Sequence, residues 1–283
     1  MPRKTMPKKT PARSQPATVA RSADLTTARL TPAALTFLRA LIRANRRDPV
    51  AAREWFAEHK SEWEENLKQP MLAIIAAVTA EMESFAPAHV RPPEKSFFRI
   101  YRDTRFSADK RPYKEHVAAW WSHRDLEKTS GAGFYFHVSP TEFIVAAGAY
   151  MPGKEQLAAI RHWLADNHAA FRALLDTPAL RRTFAEFEGN ALTRPPAGFA
   201  TDHPALDLLR CRQWGLSCTL PVETALSPRV VAEITRRFRL AAPVVEALNT
   251  AILAPSAQAE PPRRRVLFGF SEGQKPAKPL KNR

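Results

Sequence analysis

The hydrophobic period of this chain changes twice. Between about residues 31 and 85 the apolar side chains recur at the three-to-four spacing of a helix. From about 96 to 150 they alternate, or gather in short aromatic and branched blocks. From 154 onward they return to helical spacing. A helix cannot bury one face on a period of two, nor a strand on a period of 3.6. The middle is therefore a sheet set between two groups of helices. Segments 96–103, 113–122, 132–139 and 142–150 read as its strands, with Ser139-Pro140-Thr141 as the turn between the last two. This order predicts an α+β fold: N-terminal helices, a central antiparallel sheet and C-terminal helices, not a doubly wound parallel sheet.

Proline marks where the helices start. Thr31-Pro32 and Asp48-Pro49 each pair a capping residue with proline at the first helical position. Leu35, Leu38 and Ile42 form the stripe of the first helix, and Trp55, Phe56 and Trp63 that of the second. A third opens at Pro70, carries Met71, Ile74, Ile75, Val78, Met82 and Phe85 on one side, and ends before Pro87, Pro92 and Pro93. After the sheet, helices are predicted over 154–175, about 178–187, 228–239 and 241–253, with a strand or hairpin within 209–222. One folded domain over 30–254 follows, flanked by basic tails at 1–29 and 255–283 that are too poor in apolar surface to offset the entropy of ordering.

The formal charge of +15 lies mostly in those tails. Residues 1–30 hold seven Lys/Arg against Asp24 alone, and residues 261–283 hold seven against Glu272 alone. Such ends would give weak, sequence-independent nucleic-acid binding. Two cysteines cannot frame a chain of 283 residues with disulfides. No apolar run approaches the roughly 18 residues of a membrane span. The first 29 residues lack the apolar stretch of a secretory leader, and Pro2, Pro7, Pro11 and Pro16 interrupt the amphipathic helix of a transit peptide. The expectation is a cytoplasmic protein with no membrane partner.

Residues 99–114 hold six bases and two acids, while the rest of the folded body is close to neutral. If 97–105 is extended, Arg99, Tyr101, Asp103 and Arg105 share one face, and Phe98, Ile100 and Arg102 share the other. Asp103 would then orient the guanidiniums of Arg99 and Arg105. Arg102, Asp109, Lys110, Arg111 and Lys114 extend the field, and Pro112 stiffens the approach to Tyr113. Arg99, Arg102, Asp103, Arg105, Asp109, Lys110, Tyr113 and Lys114 are thus the candidate anion-binding residues. The ligand is a phosphorylated or carboxylated small molecule, with Tyr113, His137 or Glu142 to supply any proton chemistry. Two alternatives stand beside this. One is a nucleic-acid-associated protein working through its tails. The other is a structural or interaction module in which the charged run is an ion-pair scaffold.

The remaining residues point to no cofactor. His116, His123, His137 and His203 lack metal-ligand spacing. Gly131 and Gly133 precede a strand, not the helix a phosphate loop needs. Cys211 and Cys218 have no nucleophile partner in the sequence. Trp55, Phe56, Trp63, Trp120 and Trp121 read as core or rim aromatics, and Asp202-His203-Pro204 as a helix start capped by the aspartate.

The string R-x-x-R-D-x-R-F-x-x-D-K-x-x-Y from Arg99 to Tyr113 resembles the signature of the family called domain of unknown function 2461. Glu54-Trp55-Phe56 is similar to that family's N-terminal element, here preceded by extra residues (Asp48 to Arg53) after Asn45-Arg46. Pro140, Gly148 and Pro152 resemble another stretch, with Ala146 and Ala147 where glycine is usual, and Asp202-His203-Pro204 a third. The resemblance spans about 30–254 and implies a family without an assigned reaction.

Overall fold

The Asp48 carboxylate accepts hydrogen bonds from the backbone N of Val50 at 2.8 Å and of Ala51 at 2.9 Å, and Pro49 takes the first helical position. The structure is a computed structural model that describes residues 28–254 apart from 128, 129 and 185. Apart from residues 28 and 29, the two tails lie outside the described residues.

Four helices come first: α1 (Pro32–Asn45), α2 (Pro49–Glu58), α3 (Lys60–Trp63) and α4 (Gln69–Met82). Between α3 and α4 the chain widens into a π-helical turn over Glu64–Lys68, where the Gln69 N–H reaches back to the Glu64 carbonyl. Pro70 has no N–H to continue the ladder, so the wide turn sits where the normal bond is missing. Short α5 (Pro93–Ser96) leads toward the sheet, made of β1 (Val117–Ser122), β2 (Gly133–Val138), β3 (Phe143–Ala149), β4 (Glu186–Glu188) and β5 (Trp214–Leu220). The strand order is β1-β2-β3-β5-β4 and every pairing is antiparallel. Helices α6 (Lys154–Leu175), α7 (Pro178–Thr183) and α8 (Leu206–Leu209) fall between strands, and α9 (Val230–Leu253) closes the described chain. The α+β arrangement is as the change of period requires. Among the described residues no helix is long and apolar enough to cross a membrane.

Register divides the sheet into two faces. Ala119, Phe136 and Val145 stand in one row, and Trp121, Phe134, Ala147 and Leu216 in the next. All are buried, and α9 lies against this side with Phe238 beside Trp121 and Phe134. Removing these aromatic and branched side chains from water is the main stabilising term, about 25 cal/mol per Å² of apolar surface. One polar network crosses the core. Asn249 of α9 accepts from the Ala132 N–H at 2.9 Å and donates to its carbonyl at 3.1 Å. His89 packs beside it, with Nδ1 3.1 Å from the Trp121 carbonyl.

Three elements differ from the sequence expectation. Segment 96–103 is not a strand; it makes isolated bridges, Phe97 to Ala119 and Tyr101 to Tyr113. The two late helices are one, continuous through Pro243, because Val244, Val245 and Leu248 are buried on its core face and outweigh one lost backbone bond. The helix read over about 178–187 ends at Thr183, and 186–188 is instead strand β4, paired to β5; the strand expected within 209–222 is present at 214–220. His203, not Asp202, receives the Ala205 N–H, at 3.0 Å, in the turn before α8.

Candidate functional site

The charged run forms an arm. After Phe98 donates its N–H to the Ala118 carbonyl at 3.0 Å, the chain leaves the sheet edge, reverses, and returns into β1. Two backbone bonds close its base: Lys114 N to Ile100 O at 2.8 Å and Arg102 N to Pro112 O at 2.9 Å. Tyr113 is buried there, its ring stacked 4.4 Å from Phe56 and tilted against Tyr101 at 5.4 Å. Asn45 of α1 donates to the Tyr113 carbonyl at 3.0 Å. Tyr113 is an anchor of the arm.

The carboxylates divide the guanidiniums differently from the sequence expectation. Asp109 receives both Arg102 and Arg111, each at 2.7 Å, and Arg111 also reaches Glu115. Asp103 holds Arg105 through Nε at 3.0 Å and Nη2 at 2.7 Å. Arg99 acts on Asp103 only at longer range. Its bond to Arg105 holds the Asp103 carboxyl down at about 2, and Arg111 holds Asp109 below the usual carboxylate range. Lys110 donates to the Thr104 carbonyl at 3.0 Å. Arg102, Arg105 and Arg111 are thus committed to carboxylates within the arm. Arg99, Arg105 and Lys110 remain exposed, and Phe106, whose ring lies 5.8 Å from the Arg105 guanidinium carbon, is 95% exposed.

The sheet face opposite the core is a trough of about 480 Å³. Alternation places its floor. Trp120, Tyr135, Ala146 and Ser217 form one row, and Gly133, Gly148, Gly215 and Glu188 the next. His137 and Ile144 lie opposite each other beyond them. Phe98, Lys114 and His116, at the root of the arm, wall one end. The Lys114 ammonium stands 4.6 Å over the Phe98 ring. A Cβ at Gly148 would meet the Trp214 carbonyl at 2.1 Å, and the residue has φ +132, so this floor stays bare. The volume suits a small molecule.

At the arm end, His116 and His137 lie with ring centroids 4.8 Å apart, and His137 Nε2 is 3.2 Å from Glu142 Oε1. That bond makes Nε2 the protonated nitrogen and leaves the Nδ1 lone pair, which is buried and has no partner among the described residues. Burial lowers His116 to about 4 and also lowers His137, against the pull of Glu142, while it pushes the Tyr135 phenol up. Both imidazoles are neutral near pH 7. At the other end Glu188 accepts from Ser217 Oγ at 2.7 Å and from Gln213 Nε2 at 3.4 Å.

Of the candidate anion-binding residues only Lys114 lines the trough; of those offered for proton chemistry only His137 does; and His116 and Trp120, read from sequence without a ligand role, line it too. Trp120, Tyr135, Glu188 and Ser217 were not foreseen as a site. Period two along β2 puts Tyr135 and His137 together on the face opposite Phe134 and Phe136, and that was the available signal. Burial pushes Cys211 up to about 11 and raises Cys218, which suits neither as a nucleophile at neutral pH. No metal-ligating group of three occurs among the described residues.

A family model for conserved hypothetical proteins, DUF2461, matches residues 33–246. No curated protein and no solved structure matches the chain.

Proposed function

The chain belongs to DUF2461, and for this member we propose that the trough on the open face of the sheet binds a small molecule bearing a phosphate or a carboxylate. What carries this reading is that Lys114, His116 and His137 line one end of a trough whose walls are otherwise mostly aromatic and small apolar side chains. A cation there attracts the anionic group, and Phe98, Trp120 and Tyr135 offer apolar surface to the rest of the ligand. The arm supports the site from outside. Its Asp109 knot and its Tyr113 anchor hold the backbone on which Lys114 sits. His137, oriented by Glu142 as a neutral imidazole, is placed to accept a proton if the bound molecule reacts.

The test is thermal unfolding with phenyl phosphate, benzoate and neutral benzamide. The anions should raise Tm and benzamide should not. Ala146→Trp fills the trough from a position that faces away from the core, so it should abolish the effect while leaving the unliganded Tm nearly unchanged. Arg105→Ala should retain it. Stabilisation that survives Ala146→Trp and disappears in Arg105→Ala would move the anion site onto the arm.

A further inference from the structure

We propose that the trough is built for a zwitterion, with the ligand's anionic group at Lys114 and an ammonium group at Glu188. This rests on the reading of the trough as a ligand site and adds the second half of the ligand's chemistry.

The register fixes the placement. Glu188 is paired with Gly215, which lies opposite Gly148, which lies opposite Gly133. By alternation its side chain is on the trough face, and it lines the cavity together with Ser217. Lys114 enters from beyond the opposite edge of the sheet. Between the edge strands β1 and β4 lie four strand spacings of about 4.8 Å, or about 19 Å in all. The two charges therefore face one another from separate ends and do not neutralise each other in a local pair.

The two ends differ in kind. Around Lys114 is the neutral imidazole of His116, whose one N–H can donate to an anion, while the N–H of His137 is held by Glu142. Around Glu188 are Ser217 and the bare backbone of Gly215 and Gly148, and the basic side chains that line the trough, Lys114, His116 and His137, belong to the other end. The Trp120 ring covers Gly133 on β2 and so belongs to the apolar floor on the Lys114 side: a Cβ on Gly133 would meet its Cζ2 at 2.7 Å. Glu188 itself is held by two neutral donors, Ser217 and Gln213, and no ion pair among the described residues includes it. Neutral donors orient a carboxylate without cancelling its charge, which leaves that charge for an incoming ammonium. Between the ends, Ile144, Ala146 and the bare backbone at Gly148 and Gly215 accept an apolar body.

The experiment is titration calorimetry with two matched series: ε-aminocaproate, ω-aminocaprylate and ω-aminolaurate against caproate, caprylate and laurate. At one chain length the amino compound should bind at least about tenfold more tightly than its plain carboxylate. Glu188→Gln keeps the shape and the acceptor for Ser217; it should remove that preference and leave plain carboxylate affinity unchanged. Lys114→Met should weaken both series. If plain carboxylates bind and are blocked by Ala146→Trp, but show no ammonium preference in wild type, this inference fails and the anion site stands. A preference that persists in Glu188→Gln sinks it equally. If neither series binds, and phenyl phosphate does not either, the trough reading fails with it.

Discussion

Arg102 and Asp109 meet at 2.7 Å although they stand seven positions apart in the chain, and Arg111 grips the same carboxylate. Asp109 is therefore the knot of the arm, whereas Asp103 ties only its near neighbour Arg105. Asp109→Asn should lower Tm measurably and weaken anion binding in the trough, since it loosens two arginines just ahead of Lys114. Asp103→Asn should change both much less. Parallel melts of the two variants decide this, and an equal or reversed ranking would show that the arm is held by other contacts.

Asn249 satisfies both backbone groups of Ala132 from inside α9. Asn249→Leu removes an acceptor and a donor and leaves a buried N–H and C=O unpaired, at a cost of about 1–3 kcal/mol each. Denaturant unfolding should show a loss in that range or greater, with an unchanged m-value.

Acid should unfold the protein in two stages. Burial holds His89 and His116 each at about 4, below the ordinary histidine value of 6.5. As pH falls from about 6.5 to about 4, the unfolded chain takes up protons that the native state resists, so stability drops across that window. Asp103 and Asp109 are shifted down by their arginines, so what they contribute is present above the usual carboxylate range and is lost below it, toward pH 2. Melting temperature against pH should therefore show an upper and a lower decline. His116→Gln should shrink the upper one and leave the lower one in place.

The fold was legible wherever the backbone repeats. Helix α6 occupies the predicted 154–175, and β1, β2 and β3 lie within three of their predicted strands, because burial on one face imposes a period that can be read from residue type alone. The arm has no period. Its shape comes from ion pairs and two backbone bonds across a chain reversal, so extending 97–105 as a strand put Asp103 where Asp109 is needed. Glu188 was hidden for another reason: a three-residue strand is too short to display alternation, and only its pairing with β5 reveals the face it takes.

The closure of the arm at Ile100–Lys114 and Arg102–Pro112 has a use in protein engineering. A loop whose ends are already joined tolerates added length cheaply, about 0.6 kcal/mol for each doubling. The junction of Phe106 and Ser107 lies at the far end of the arm, in the loop that the Arg102–Asp109 pair closes, and Phe106 has almost no surface engaged with the body of the protein. A reporter or affinity peptide grafted there would be displayed on a braced stalk, leaving the sheet and its trough undisturbed.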